Sequence, residues 1–190
     1  MKILGISGSP RVKHTAVMLK TVLDATGAEC ELLHLKDYTI RPCLNCKFCH
    51  KAFVCAQKDD MQLLHKKLIE ADVIVFASPT HFSNVTGIMK NFMDRCLPFY
   101  FSRQLEEKRV AILTVAGYGS LIERDGKGNC MDCTSDNLCM RSASRCVDSM
   151  RFFADHLGMN VVGELSAIHG DPAAREKELI ELGKRLGREF

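Results

Sequence analysis

The sequence predicts an α/β fold: a three-layer sandwich with helices on both faces of a five-stranded parallel sheet, strand order 2-1-3-4-5. Three observations carry this prediction. Short runs such as Asp72–Ser78 (DVIVFAS) and Arg109–Val115 (RVAILTV) are almost wholly apolar, as a strand covered on both faces must be. Between such runs lie stretches whose apolar residues recur at helical spacing. Strands and helices therefore alternate, which calls for right-handed crossovers and a doubly wound sheet.

The elements follow in order. Lys2–Ser7 is apolar and β-branched and closes on Gly8-Ser9-Pro10, the signature of a buried strand ending in a turn. From His14 to Ala25, Val17, Met18, Val22 and Leu23 mark a helix. Glu29–Leu35 alternates weakly and reads as the second strand. Asp59–Ala71 places Met61, Leu64, Leu68 and Ile69 on one helical face, with Asp59 or Asp60 as N-cap. Asp72–Ser78 is the third strand, Val85–Arg95 a helix, and Arg109–Val115 the fourth strand. Ala143–Leu157 is helical, Asn160–Leu165 is the fifth strand, and Pro172–Arg188 a closing helix. No repeat, low-complexity tract or linker divides the chain, so residues 1–190 are expected to form a single domain.

Composition narrows the function classes. Hydrophobic residues make up 46% of the chain, enough for a substantial core. The net charge of +3 is mild and its lysines and arginines are scattered, so no nucleic-acid partner is expected. No apolar run is long enough for a membrane span, and Met1–Ser7 reads as a strand rather than an export signal, so the expected location is cytoplasmic. Ten cysteines then point to metal or redox chemistry rather than disulfides. No Ser/His/Asp or paired-carboxylate constellation supports hydrolysis.

In an open α/β sheet ligands bind beyond the carboxyl ends of the strands, where the strand order reverses. That point lies beside the first strand, at Ser7-Gly8-Ser9-Pro10-Arg11-Val12-Lys13-His14-Thr15. Gly8 permits a close turn, Ser7, Ser9 and Thr15 offer hydroxyls, and the next helix aims its first amides and positive dipole end at the same spot. Arg11 and His14 add charge for a dianionic phosphate. The loop has neither GxxxxGK[ST] nor GxGxxG, so a terminal monophosphate suits it better than a triphosphate or a dinucleotide. A helix-capping turn without a ligand is the plain structural alternative.

The two stretches outside the strand–helix scheme are 41–58, a cysteine-rich insertion, and 116–141, a long loop; loops of such length are usually functional. In the first, Cys43, Cys46, Cys49 and Cys55 form C-x2-C-x2-C-x5-C, a spacing compact enough for three thiolates to converge and a fourth to close the site. Such runs are typical of [4Fe–4S] ligation, while zinc more often takes two separated knuckles. A cluster, zinc and clusterless thiols all remain open on spacing alone. In the second stretch Cys130, Cys133 and Cys139, followed by Cys146, suit a second metal or a redox pair, although Cys146 equally suits a buried helix face. Cys30 and Cys96 are expected in the core. Adjacent Asp94 and Arg95 are expected to pair or cap rather than to catalyse.

GISGSPR…HT resembles the opening of the NAD(P)H-dependent FMN reductases and iron–sulfur flavoproteins of the flavodoxin-like superfamily, with His14 where that family usually carries Asn. Ser78-Pro79-Thr80-His81-Phe82-Ser83, with Gly87, Lys90, Asp94 and Arg95 beyond, is similar to the family's SPxYxxxxxGxxKxxxDR. The resemblance implies that Ser7, Ser9, Pro10, Arg11, His14 and Thr15 hold an FMN phosphate. It implies that Pro79, Thr80, His81, Phe82 and Ser83 line the flavin ring, Phe82 being the aromatic available to stack; His81, read as a residue, suits either a proton or hydrogen-bond donor near the ring or a solvated loop histidine. Ala116, Gly117, Tyr118 and Gly119 would supply a third contact, glycine allowing close backbone approach to a flat ring. The cysteine run matches the family's cluster motif, so Cys43, Cys46, Cys49 and Cys55 would hold one [4Fe–4S] cluster. Clusterless reductases carry similar cysteines before a DDM sequence, here Asp59-Asp60-Met61.

The expected protein is a flavin-dependent oxidoreductase passing electrons between a carrier such as ferredoxin, a cluster, FMN and a small-molecule acceptor. A clusterless NAD(P)H-dependent FMN or quinone reductase is the alternative. A flavodoxin-like shuttle is the third reading, though the positive net charge argues against an acidic carrier surface. The resemblance also implies a homodimer or homotetramer.

Overall fold

A computed structural model describes residues 1–117 and 138–188. Five strands, β1 (Lys2–Ser7), β2 (Glu29–His34), β3 (Val73–Pro79), β4 (Arg109–Val115) and β5 (Asn160–Ala167), form one sheet in the order β2-β1-β3-β4-β5. Every neighbouring pair is parallel. The doubly wound topology and the flavodoxin-like strand order are those expected from the sequence.

Strand side chains alternate between two cores because the strand period is two residues. Leu4, Ile6, Ile74, Phe76, Val110 and Ile112 face one side. There they pack against α3 (Met61–Glu70), α4 (Gly87–Arg95), α5 (Leu97–Ser102) and α6 (Leu138–His156). Ile3, Val73, Val75, Ala111 and Leu113 face the other side, against α1 (His14–Asp24) and α7 (Glu176–Leu186). Each fully buried aliphatic or aromatic side chain contributes about 1.5–3 kcal/mol, so covering both faces accounts for the unbroken apolar runs of β3 and β4. At Gly183 a Cβ would lie 2.3 Å from the Val22 carbonyl oxygen, so α1 and α7 meet backbone to backbone.

Several elements differ from expectation. β5 runs on to Ala167, and α6 begins at Leu138 rather than Ala143, so 138–141 belong to a helix rather than to the long loop. The expected Val85 start of α4 moves to Gly87, because Thr86 is its N-cap and accepts from the Met89 amide at 3.2 Å. α5 was not anticipated; Pro98 cannot continue α4 but suits the first turn of a new helix. The closing helix starts at Glu176, after a 3-10 turn at Ala173–Arg175. Within the cysteine insertion lies a single helical turn, α2 (Cys49–Ala52). Cys96 is buried as expected, but Cys30 is exposed, because β2 is an edge strand whose first residues face water.

Candidate functional site

The strand order reverses between β1 and β3, and their carboxyl ends carry two of the predicted loops side by side. The Gly8 amide donates to the Ala77 carbonyl at 2.8 Å, and the Thr80 amide to Val115 at 2.9 Å. Gly8 is required by close approach: a Cβ there would lie 2.7 Å from the Met89 Cβ. Thr86 ties the two loops together, donating from its hydroxyl to the Gly8 carbonyl while its amide donates to Ser78 Oγ at 3.2 Å.

Within the first loop Ser7, Ser9 and Thr15 are buried, whereas Arg11 and His14 are exposed. Ser9 Oγ donates to the Arg11 carbonyl at 2.6 Å and accepts from the Arg11 amide at 3.2 Å, which folds Pro10 into a tight turn. No side chain caps the N-terminus of α1, leaving its first-turn amides to an acceptor from outside the helix. His14 Nδ1 contacts the Gly170 carbonyl, joining this loop to the turn after β5. Gly170 in turn donates to Ala116 at 3.0 Å, and Ala116 to Ala167 at 2.9 Å.

The second loop is a two-residue hairpin. His81 and Asn84 exchange backbone bonds at 2.9 and 3.0 Å, and the tip residues Phe82 and Ser83 sit at φ 47° and 59°. Left-handed backbone costs a non-glycine residue about 1–2 kcal/mol. The result is that Phe82 stands fully exposed at the tip, beside exposed His81. Of the third predicted contact, Ala116 is buried and Gly117 exposed; Tyr118 and Gly119 lie outside the described residues. Beneath these loops, Cys146 is buried against the Ser78, Thr80 and Thr114 hydroxyls. Burial pushes its thiol up and the three hydroxyls pull it partly back. Cys130 and Cys133 lie outside the described residues, and Cys139 falls in the first turn of α6.

The cysteine insertion forms a second locus. Cys43, Cys46, Cys49 and Cys55 all line one cavity of about 20 Å³, together with Asp94 and Arg95. Asn45 and Lys47, at φ 48° and 59°, fold the C-x2-C-x2-C backbone back on itself. Burial pushes the Cys49 thiol up, a backbone hydrogen bond opposes this, and Cys55, Cys43 and Cys46 act on it as neighbouring charges. Cys43 and Cys46 are exposed, Cys49 is buried and Cys55 is partly buried. Among the described residues no three His, Cys, Asp or Glu side chains close into a ready-made metal cage. Four soft donors around one cavity, two of them on its solvent side, nevertheless fit a thiophilic centre by their chemistry.

A clasp holds the base of the insertion. The Thr39 amide donates to Asp60 Oδ2 at 2.7 Å, the Arg41 amide to Asp59 Oδ2 at 3.0 Å, and Gln57 Nε2 to the Pro42 carbonyl at 2.9 Å. Arg95 enters from α4 and grips Asp59 with both terminal nitrogens, at 2.7 and 3.0 Å, and the Arg41 carbonyl at 2.6 Å. Asp94 and Arg95 therefore do not pair with each other: Asp94 pairs with Lys90, while Arg95 reaches across to Asp59. Residues 94 and 95 point to different sides of a helix, which sequence adjacency conceals. Asp59 and Thr86 hold the two loci together without a strong mark in the sequence. The Thr-Gly step before a helical pattern was an available cap signal for Thr86, and Asp59 showed only as a cap.

The family model described as NADPH-dependent FMN reductase matches residues 1–124. An iron-sulfur flavoprotein of Archaeoglobus fulgidus is 46% identical over 98 residues, covering 50% of this chain and 48% of that protein. A second iron-sulfur flavoprotein of the same organism is 37% identical over 134 residues, 68% of this chain and 61% of the relative. The matched stretch thus spans about half to three-fifths of these curated relatives. Among solved structures, the NAD(P)H:quinone oxidoreductase of Methanothermobacter marburgensis superposes with a TM-score of 0.70. The superposition covers 100% of this chain and 98% of that one at 17% identity, a likeness of fold alone. No helix among the described residues is long and apolar enough to cross a membrane.

Proposed function

The chain belongs to the NADPH-dependent FMN reductase family, and from that premise we propose that it is an iron–sulfur flavoprotein, a flavin-dependent oxidoreductase with one FMN and one [4Fe–4S] cluster. It takes electrons from a carrier such as ferredoxin and delivers them to a small-molecule acceptor, as a cytoplasmic homodimer or homotetramer. The observation that carries this reading is that one helix serves two loci. At its start Thr86 fastens the Gly8 loop, and at its end Arg95 lines the cavity that Cys43, Cys46, Cys49 and Cys55 share.

FMN, when bound, supplies the redox chemistry, while the protein supplies orientation and electrostatics. The uncapped α1 amides, with Ser7, Ser9 and Thr15, would receive the phosphate, with Arg11 supplying charge and His14 a polar ring edge from the solvent side. The Pro79–Ser83 loop would line the flavin ring, with Phe82 available to cover it and His81 to hold or donate a proton at its imidazole nitrogen. Cys43, Cys46, Cys49 and Cys55, which line one cavity, would hold the cluster. Two named relatives and the donor set support this assignment.

Anaerobic purification followed by flavin, iron and acid-labile sulfide assays tests it. The expected result is FMN with about four irons and four sulfides per chain, and faster reduction by reduced ferredoxin than by NADPH. FMN without iron after attempted reconstitution overturns it. That outcome would favour a clusterless NAD(P)H-dependent FMN or quinone reductase.

A further inference from the structure

Arg95 is the largest fully buried side chain among the described residues, and its partners do not exhaust it. Its two terminal nitrogens hold Asp59 and the Arg41 carbonyl, but its Nε–H is buried with no hydrogen-bond partner. An unmet donor on a buried cation is costly, and such groups in native proteins call for an explanation. The side chain lines the cavity of the four cysteines, and Cys55 is near enough to act on it through both hydrogen bonding and charge.

The other charges around the cavity do not duplicate it. Asp94 also lines the cavity but is paired with Lys90 on the exposed side of α4. Arg41 is more than half exposed, and its Nε stands 3.6 Å from Asp59, on the outer side of the same carboxylate. Lys47 is exposed on the insertion itself. Arg95 is thus the one fully buried cation lining the sulfur site among the described residues, and Asp59 is the anion that offsets it.

Resting on the reading of the cysteines as a cluster site, we propose that Arg95 is a positioning residue that sets that site's reduction potential, with Asp59 as the opposing weight. Four thiolates make the site anionic, and reduction adds one more negative charge. A fixed cation favours the reduced form and a fixed anion the oxidised form; the Arg95 and Asp59 side chains are themselves buried, so neither charge is well screened by water.

The test is an EPR-monitored redox titration of the anaerobically reconstituted protein, alongside iron retention against a chelator. Asp59→Asn leaves the cation unopposed and raises the midpoint; Arg95→Gln leaves the anion unopposed and lowers it. Each shift is expected near tenfold in the reduction equilibrium, about 59 mV for a one-electron couple. Arg95→Lys keeps the charge and is expected to stay within a third of that shift while losing iron faster. If Arg95→Gln does not fold, Asp59→Asn and Arg95→Lys decide between them. Unmoved midpoints, or shifts of the same sign in Asp59→Asn and Arg95→Gln, overturn the proposal and leave a merely structural pair. Wild-type protein that takes up no cluster overturns the parent reading, and this one with it.

Discussion

At Asp59 a single buried carboxylate accepts from the Arg41 amide, the Met61 amide at 3.2 Å and both ends of the Arg95 fork. Burial alone would raise its pKa, but these partners outweigh it and hold the group at about 2 against an ordinary 3.8. The folded value lies below the unfolded one, so the stabilisation is complete above about pH 4 and disappears as pH falls through about 2. It amounts to about 2 kcal/mol. His65 adds in the same direction: burial lowers its pKa more than its bond to the Arg95 carbonyl raises it, so acidification must charge a partly buried ring. Urea unfolding at neutral pH should show Asp59→Asn less stable by about 3 kcal/mol, since it strands a buried cation. At pH 2.5 the gap to wild type should shrink. At Gly8 the constraint is steric. Gly8→Ala forces a Cβ to within 2.7 Å of Met89 and should cost about 1–3 kcal/mol, with FMN affinity falling in a fluorescence titration.

At the scale of elements, the two loops of the crevice are held by different devices. Thr86 caps α4 and bonds Gly8, so Thr86→Val should cost about 1–2 kcal/mol in thermal or urea unfolding and loosen FMN binding, while Thr86→Ser should restore most of both. The Phe82-Ser83 hairpin instead stores strain at its tip. Ser83→Gly should stabilise the fold by about 0.5 kcal/mol, because glycine adopts positive φ freely. Phe82→Ala should leave the melting temperature unchanged yet weaken flavin binding, separating the two roles by calorimetry and fluorescence. The five strands were legible because strands covered on both faces leave contiguous apolar runs, and the phosphate loop because it follows the first of them. α5 was not legible: Pro98 ends one helix and opens another within an unbroken apolar run. Nor was the Asp59–Arg95 pair, since its members lie 36 residues apart and no local pattern records which acid an arginine meets in space. Nor was the exposure of Cys30, since the pattern of β2 does not show that it is an edge.

Across the whole molecule the sheet separates two cores with different tolerances. On the α1/α7 side Gly183 meets a backbone oxygen, which cannot rotate away. Gly183→Ala should therefore lower the melting temperature by the equivalent of about 2–3 kcal/mol while leaving the iron content of folded protein unchanged, because the cysteine cavity lies beside α4 and α5, which pack on the opposite face. That opposite face contains α4, nine residues long, about 14 Å, with Thr86 at one end and Arg95 at the other. Such a helix is a ruler. Substitutions along its surface leave its length alone, but one inserted residue would lengthen it by about 1.5 Å and swing Arg95 by about 100° away from the cysteines. The span between the two loci is thus written in the number of residues between Thr86 and Arg95 rather than in their identity, and insertions and deletions there should be far less tolerated than exchanges.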